Sequence, residues 1–425
     1  MSHQAICLID CNSFYASCEK LFDPSLRRKP VIVLSNNDST VIARSAEAKK
    51  LGIAMGAPYF QLETFCDEQE VAVYSSNYEL YGDLSARVMT GLRKFTPLVE
   101  CYSIDEAFLA LDAPPGGKSF DRLGREIRDK LLQWVGIGVS VGIAETKVLA
   151  KLANRIAKES EKADGVLDLY RSRHQELALE RTAVGEVWGI GPASRKILND
   201  NQILTAKELR DAPLRWVRRA LSVVGARIVT ELRGIQALPL DTAPPPRRSI
   251  SCARSFGQTV SEFKHLKEAV AVFLARAAEK MRRHGLAAKT VTVFVATDRF
   301  ETRPECSYSN AQTYASTYLT DANPELQTWA FQCLEKVFAP AYPYRKAGVI
   351  LGGLAPAAHL TGRLYDDERW DRFRLVMRAA DEINRKWGRD TIRLCVAAPG
   401  GVWRGRANRL SRRYTTRINE IAEVK

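Results

Sequence analysis

Histidine is scarce in this chain, with five residues in 425, and the nine cysteines form no CxxC pair. A Cys/His zinc site therefore has little to build on; Cys7 and Cys11 come nearest to a metal spacing. Cys7, Cys101, Cys252, Cys333 and Cys395 lie in or beside apolar runs, so reduced structural thiols are expected. No apolar run approaches the roughly 18 residues of a membrane span, and the opening MSHQAICLIDCNSF lacks the basic, apolar, small-residue order of a signal peptide. A soluble, cytoplasmic protein without membrane contact is the expectation. There is no long low-complexity segment, and a chain of 425 residues that is 46% hydrophobic and 26% charged is globular and needs several domains. Acid is in deficit: 63 Lys and Arg face 49 Asp and Glu, giving +14. That excess points to a polyanionic partner, although many basic proteins bind nothing specific.

Against this background two stretches stand out. Val99-Glu100-Cys101-Tyr102-Ser103-Ile104-Asp105-Glu106-Ala107-Phe108-Leu109-Ala110-Leu111 places adjacent carboxylates inside a β-like apolar run, and Ala5-Ile6-Cys7-Leu8-Ile9-Asp10 ends another short run on acid. Buried carboxylates are normally paired, neutralised or bound to a cation, and no Lys or Arg lies within either run. Each acid alone reads better as a helix cap or part of an exposed turn. Together they point to a hard-cation site of the Mg²⁺ type. Consecutive strand residues face opposite ways, so Asp10 with Asp105 is the favoured pair, and Glu106 joins them only if the chain turns there.

Helices are predicted at 13–21, 45–51, 77–95, 122–134 and 146–158, and strands at 30–34 and 135–143. Strand, helices, hairpin, helix, strand and helix in that order suit an α+β domain with an antiparallel sheet, into which residues 16–80 are inserted. Arg44, Lys49 and Lys50 are either a solvated basic face or a triphosphate clamp. From 169 to 234 the chain turns helical and basic, and Trp188-Gly189-Ile190-Gly191-Pro192 is either an ordinary helix hairpin or a turn that aims backbone N–H groups at phosphate. Asp241-Thr242-Ala243-Pro244-Pro245-Pro246-Arg247-Arg248 is a stiff linker. Beyond it come strands at 249–256, 289–297, 305–314 and 347–354 and helices at 262–284 and 322–338, a sheet that could cradle a duplex if its open face is basic. Arg247, Arg248, Arg254, Arg299 and Arg303 are the candidates. Residues 357–425 carry half the net charge and three tryptophans, Trp370, Trp387 and Trp403, so part of this segment should fold or dock. Arg404 to Arg417 reads as a basic arm for nucleic acid or a partner, or as a solvated tail.

The motifs Asp10-Cys11-Asn12-Ser13-Phe14-Tyr15, Ser75-Ser76-Asn77-Tyr78-Glu79-Leu80-Tyr81, Tyr102-Ser103-Ile104-Asp105-Glu106-Ala107-Phe108, Thr146-Lys147-Val148-Leu149-Ala150-Lys151-Leu152-Ala153-Asn154, Trp188-Gly189-Ile190-Gly191 and Arg412-Arg413-Tyr414-Thr415-Thr416-Arg417 follow one another along nearly the whole chain. In these the sequence resembles the Y-family translesion DNA polymerases, and most closely their UmuC-type branch. The resemblance implies a right-hand polymerase with a ferredoxin-like palm (1–15 and 81–168), fingers (16–80), a helix-hairpin-helix thumb (169–238), a linker (239–248), a little finger (249–356) and a C-terminal extension (357–425) for partner or DNA contacts.

It also implies error-prone nucleotidyl transfer from dNTP to a primer 3′-OH in the DNA-damage response. Asp10, Asp105, Glu106 and the Cys11 carbonyl would hold two Mg²⁺ ions, Tyr15 on Phe14 would exclude a ribose hydroxyl, and Arg44, Lys49 and Lys158 would take the triphosphate. Many members carry Tyr where this chain has Ala46. Expected partners are primer-template DNA, a dimer of the processed UmuD-type protein, RecA, and a sliding clamp through Leu364 and Tyr365, although the leading Gln of that peptide is missing here. A nucleotidyl cyclase would share the two acids but leave the helix-hairpin turn, linker and basic tail without a role, and a DNA-binding adaptor would not need an intact acid set.

Overall fold

β1 (Ala5–Cys11) is apolar on both faces because it is covered on both. Ala5, Cys7, Ile9 and Cys11 enter one core, while Ile6 and Leu8 enter another. The computed structural model describes residues 4–113, 119–243, 246–298, 303, 306–359, 368–388, 390–393 and 401–422. The chain forms two units, one of Met1–Ser35, Ser39–Pro244 and Arg409–Lys425, the other of Asn36–Asp38 and Pro245–Asn408.

In the first unit β1 is followed by α1 (Phe14–Phe22), β2 (Val31–Leu34), β3 (Val41–Arg44), α2 (Ala46–Lys50), α3 (Glu63–Glu68), β4 (Ala72–Ser75) and α4 (Tyr78–Leu92). Then come β5 (Val99–Cys101), β6 (Glu106–Leu111), α5 (Phe120–Val135), β7 (Val139–Ala144), α6 (Lys147–Glu159), β8 (Val166–Asp168), α7 (Gln175–Arg181), α8 (Pro192–Asp200), α9 (Ala206–Asp211) and α10 (Leu214–Leu232). The central sheet has the order β5-β6-β1-β7-β8, and a smaller one the order β3-β2-β4. In the central sheet the expected antiparallel arrangement holds except at β7 and β8, which run parallel because α6 crosses between them; in the smaller sheet β2 and β4 are also parallel.

Helices α4 and α5 cover one face through Leu84, Val88, Ile127 and Leu131; α6 covers the other, backed by α7 to α10. The N-terminus of α6 is fixed from three sides. Thr146 Oγ1 accepts from the Leu149 N–H, a cap that satisfies one of the orphan donors of the first turn. Buried Glu231 of α10 accepts from the Val148 N–H at 3.3 Å. Lys147 Nζ, almost wholly buried, lies 2.5 Å from Glu100 Oε2 of β5.

The second unit contains β9 (Ser249–Val260), α11 (Phe263–Arg283), β10 (Leu286–Ala296), β11 (Ser309–Thr320), α12 (Asn323–Val337), β12 (Tyr344–Gly352) and α13 (Glu368–Trp387), with sheet order β11-β10-β12-β9. The third strand starts later than its apolar pattern suggested, at Ser309. Helices α11 and α12 fill one face with Leu266, Phe273, Trp329 and Leu334. Trp403 is packed into the same core, its ring 5.5 Å from Phe273, whereas Trp387 is exposed. The eight described cysteines are free; Cys395 lies outside the described residues. No helix among the described residues is long and apolar enough to cross a membrane.

α6 lies close against β7. A Cβ on Gly142 would stand 2.2 Å from the Asn154 nitrogen and 2.3 Å from the Ala150 oxygen, and Asn154 Nδ2 donates to the Ser140 carbonyl of β7 at 2.8 Å. Backbone cannot yield as a side chain can, so Gly142→Ala should destabilise the first unit by at least about 1–3 kcal/mol. Thermal denaturation checks this; an unchanged Tm would show that α6 shifts without cost.

Candidate active site

Register brings the acids together. β1 and β6 are antiparallel, with Ile9 opposite Ala107 and Asp10 opposite Glu106, so the last two side chains share the face under α6. Strand geometry alone had favoured Asp10 with Asp105. The structure places Asp105 in the turn just before β6, where its carbonyl accepts from the Cys11 N–H at 2.9 Å and its carboxylate from Ser103 Oγ at 2.5 Å. The chain therefore does turn at this point, and all three acids sit at one end of the β1–β6 pair.

Their countercharges come from α6. Lys158 Nζ lies 2.6 Å from Asp10 Oδ2, and Lys151 Nζ lies 3.0 Å from both Glu106 oxygens. Lys151 is further held between aromatic faces, 4.6 Å from the Tyr102 ring and 5.0 Å from Trp188. Trp188 of the glycine turn thus packs against the carboxylate hairpin. Burial pushes the Asp10 carboxyl up to about 6 despite Lys158, and Glu106 and Asp105 add to the rise. Among the described residues no three Cys, His, Asp or Glu form a ready-made ligand cluster, and Asp10 and Glu106 each face an ammonium group. The donors are nevertheless all hard oxygens, and their mutual repulsion at Asp10 is what a divalent cation would relieve, so the residues fit such an ion. Burial, then Asp10 and Asp105, raises the Cys11 thiol, which leaves it an unreactive packing group.

Beside the acids the chain reverses sharply. Ser13 has φ 47 and ψ 45, a left-handed conformation unusual for a side-chain-bearing residue, and it starts α1 directly after β1. Phe14 is thereby buried and Tyr15 half-buried, their rings 5.8 Å apart. Tyr15 stacks on buried Tyr81 at 4.5 Å and 16° and meets Tyr78 edge-on at 6.2 Å. Behind Tyr81, its hydroxyl donates to Glu19 Oε1 at 2.5 Å, and Ser411 Oγ donates to the same oxygen at 3.0 Å. The cations Arg44, Lys49 and Lys158 are neighbours: desolvation, then Arg44 and Lys158, pulls Lys49 below the ordinary lysine range. Arg44 donates to the Ile53 carbonyl, while its Nε is buried without a hydrogen-bond acceptor.

The other candidates are scattered. Gly189 takes φ +91 and faces Ile228, and Gly191 is the N-cap of α8, beside Arg195 and Lys196 in a shallow groove. Arg247 and Arg248 are exposed ahead of β9, and Arg303 is exposed. Arg254 pairs with Ala347, a core position, so it lies on the helix side of its sheet at the edge strand. A duplex cradle on this sheet would require a basic open face. Its paired rows read Ser251-Ile350-Thr292-Thr313, Ala253-Gly348-Phe294-Ala311 and Ser255-Lys346-Ala296-Ser309, mostly small and polar. Arg299, Leu364 and Tyr365 lie outside the described residues. The basic arm is not a free tail: in the first unit the Arg409 carbonyl accepts from Ser75 N at 2.9 Å, and Arg413 and Arg417 reach Glu79 at 3.5 and 3.6 Å.

Lys147, Lys151, Glu19 and Tyr81 escaped notice as site residues. The lysines had a signal in the sequence, since Lys147, Lys151 and Lys158 recur at i, i+4 and i+11 along one helix face. Glu19 and Tyr81 had none beyond their motifs.

Comparison with known proteins matches residues 9–155 to the impB/mucB/samB family, residues 247–364 to the C-terminal domain of that family, and residues 374–424 to a domain of unknown function, DUF4113. The chain is 41% identical over 421 residues to the protein UmuC of Salmonella typhimurium, covering 98% of this chain and 99% of that one. It is 38% identical to the protein ImpB of Salmonella typhimurium, covering 97% and 98%. To a DNA polymerase IV of Alkalilimnicola ehrlichii it is 32% identical, covering 69% and 82%. Among solved structures, a Y-family DNA polymerase chimera of Dbh and Dpo4 superposes with a TM-score of 0.65 at 20% identity, over 82% of this chain and 98% of the chimera, a likeness of fold.

Burial raises the Glu19 carboxyl from 4.5 to about 7, against the opposing pull of its Tyr81 and Ser411 donors. A carboxyl with a raised folded-state pKa favours folding at low pH, and that contribution is lost as pH climbs from about 4.5 through about 7. Glu19→Gln keeps an oxygen acceptor without the charge. Its Tm should therefore exceed the parent's at pH 8, with the gain fading toward pH 5; a pH-independent difference in the melting curves would contradict the assignment.

Proposed function

The chain belongs to the impB/mucB/samB family of Y-family DNA polymerases, and from that membership we propose how its residues divide the work. It is a DNA-directed DNA polymerase of the translesion class, with a divalent metal cofactor. The observation that carries the residue assignment is the β1–β6 register, which sets Asp10 and Glu106 side by side with Asp105 at the adjoining turn.

Asp10, Asp105, Glu106 and the Cys11 carbonyl would hold two Mg²⁺ ions, which would supply acidification of the primer 3′-OH and charge neutralisation on the triphosphate and leaving pyrophosphate. Arg44, Lys49 and Lys158 form a cationic pocket for the triphosphate, and Lys158, paired with Asp10 in the free protein, exchanges it for phosphate oxygens as nucleotide enters. Lys151, shielded by Tyr102 and Trp188, keeps Glu106 oriented. Tyr15, backed by Phe14 and Tyr81, lies under the sugar and leaves no room for a 2′-hydroxyl. The turn at Gly189 and Gly191 offers backbone N–H groups to a DNA phosphate, with Arg195 and Lys196 beside it. Arg247, Arg248, Arg254, Arg299 and Arg303 add phosphate contacts.

In domain terms, residues 1–15 and 81–168 are the palm, 16–80 the fingers, 169–238 the thumb and 249–356 the little finger. We assign the protein to the cytoplasm and to the DNA-damage response, with a processed UmuD-type dimer and RecA as partners and a sliding clamp at Leu364 and Tyr365.

Purified protein with Mg²⁺, supplemented with the partner subunits, should extend a primer on intact and abasic templates. Asp105→Ala should lower extension at least about 10³-fold with DNA binding retained; loss of binding in its place would make Asp105 a structural residue. Tyr15→Ala should raise the efficiency of ribonucleotide use relative to deoxyribonucleotide by about 10-fold or more, read from single-nucleotide insertion kinetics. An unchanged ratio would remove the gate assignment.

A further inference from the structure

The C-terminal segment from Arg409 onward belongs to the first unit, and its contacts concentrate behind the ring assigned to sugar selection. Asn77 Nδ2 donates to Ser411 Oγ at 2.9 Å and to the Ser411 and Arg412 carbonyls at 3.2 Å each. The same side chain uses its oxygen to accept from the Leu80 N–H at the start of α4, the helix that carries Tyr78 and Tyr81. Arg409 exchanges two hydrogen bonds with Ser75, and Tyr414 stacks on Phe22 of α1 at 4.8 Å and 10°. Ser411 and Tyr414 therefore meet Glu19 and Phe22, two residues one helical turn apart on a single face of α1.

We propose that this segment is a positioning element for the sugar gate. Ser411 and Tyr81 donate to one oxygen of buried Glu19, which fixes the Tyr81 ring on which Tyr15 stacks. The inference rests on the gate reading of Tyr15. Glu19 is 2% exposed and Tyr81 fully buried, so neither can exchange a lost partner for water. Without Ser411, Glu19 keeps one donor, the Tyr81 hydroxyl, and must move toward solvent to find another. Tyr81 would move with it, and the wall behind Tyr15 would loosen. A segment that merely stabilised the fold would lower activity toward both sugars alike; a positioning element changes their ratio.

The test measures kcat/KM for one dNTP and its matching rNTP in the full-length protein. Ser411→Ala should lower dNTP-over-rNTP discrimination by roughly 3- to 10-fold, the worth of about one hydrogen bond, through a gain in ribonucleotide kcat/KM. Ser411→Thr, which restores the hydroxyl, should recover it. Arg417→Ala, which removes an exposed ion pair to Glu79 and no hydrogen bond to Glu19 or Tyr81, should leave the ratio alone. In a Tyr15→Ala background Ser411→Ala should add nothing, because its effect passes through that ring. If Tyr15→Ala relaxes discrimination while Ser411→Ala does not, or if the two losses add fully, the positioning role is wrong and the gate stands. If Tyr15→Ala itself changes nothing, the gate reading falls and this inference falls with it.

Discussion

Two ammonium groups on α6 hold the carboxylates that end the central strands, and the rest of the first unit is arranged to deliver them. Carboxylates at the rim of an apolar sheet cost several kcal/mol if unpaired, on the order of 3–5 when a partner is removed. Lys158 and Lys151 meet that cost at Asp10 and Glu106 from a helix that begins some way downstream in the chain. Their reach depends on how closely α6 can lie on the sheet. Gly142 has no side chain to hold it away, Asn154 ties it to Ser140, and buried Glu231 and the Lys147–Glu100 pair anchor its first turn. Site geometry and core packing are in this sense one problem.

The same pairing explains how a polyanion could be admitted. Burial, and then the nearby Arg44 and Lys158, depress Lys49, and Lys158 is shared with Asp10. Cations and acids in such proximity partly satisfy each other in the free protein. On the proposed assignment, an entering phosphate and a metal would replace both halves of that arrangement at once. The left-handed turn at Ser13 contributes by fixing the distance between the acid at the end of β1 and the ring at the start of α1.

The C-terminal region divides between the two units. Trp403 fills the core of the second unit, while residues from Arg409 onward are bonded to α1, β4 and α4 of the first. Its basic character therefore reads partly as ion pairing with Glu63, Glu79 and Glu420. A stretch that looked like an arm for an external partner is, over these residues, a component of the fold.

The sequence by itself determined the local pieces, because they depend on neighbours within a few residues. The caps Ser45, Asn77 and Thr146 head α2, α4 and α6, Gly52 takes positive φ at the end of α2, and the α+β alternation of the second unit follows its apolar periods. The acids themselves were legible, since charge inside an apolar run violates the rule by which strands are recognised. What pairs with what was decided by tertiary structure alone. Strand alternation could not see the turn at Asp105 or the register that sets Glu106 opposite Asp10. Nor could it see that Lys151 and Lys158 supply the missing countercharge, that Arg254 faces the helix side of its sheet, or that Ser411 reaches Glu19. Each of these contacts joins residues far apart in the chain, and periodicity carries no information about distances that only packing creates.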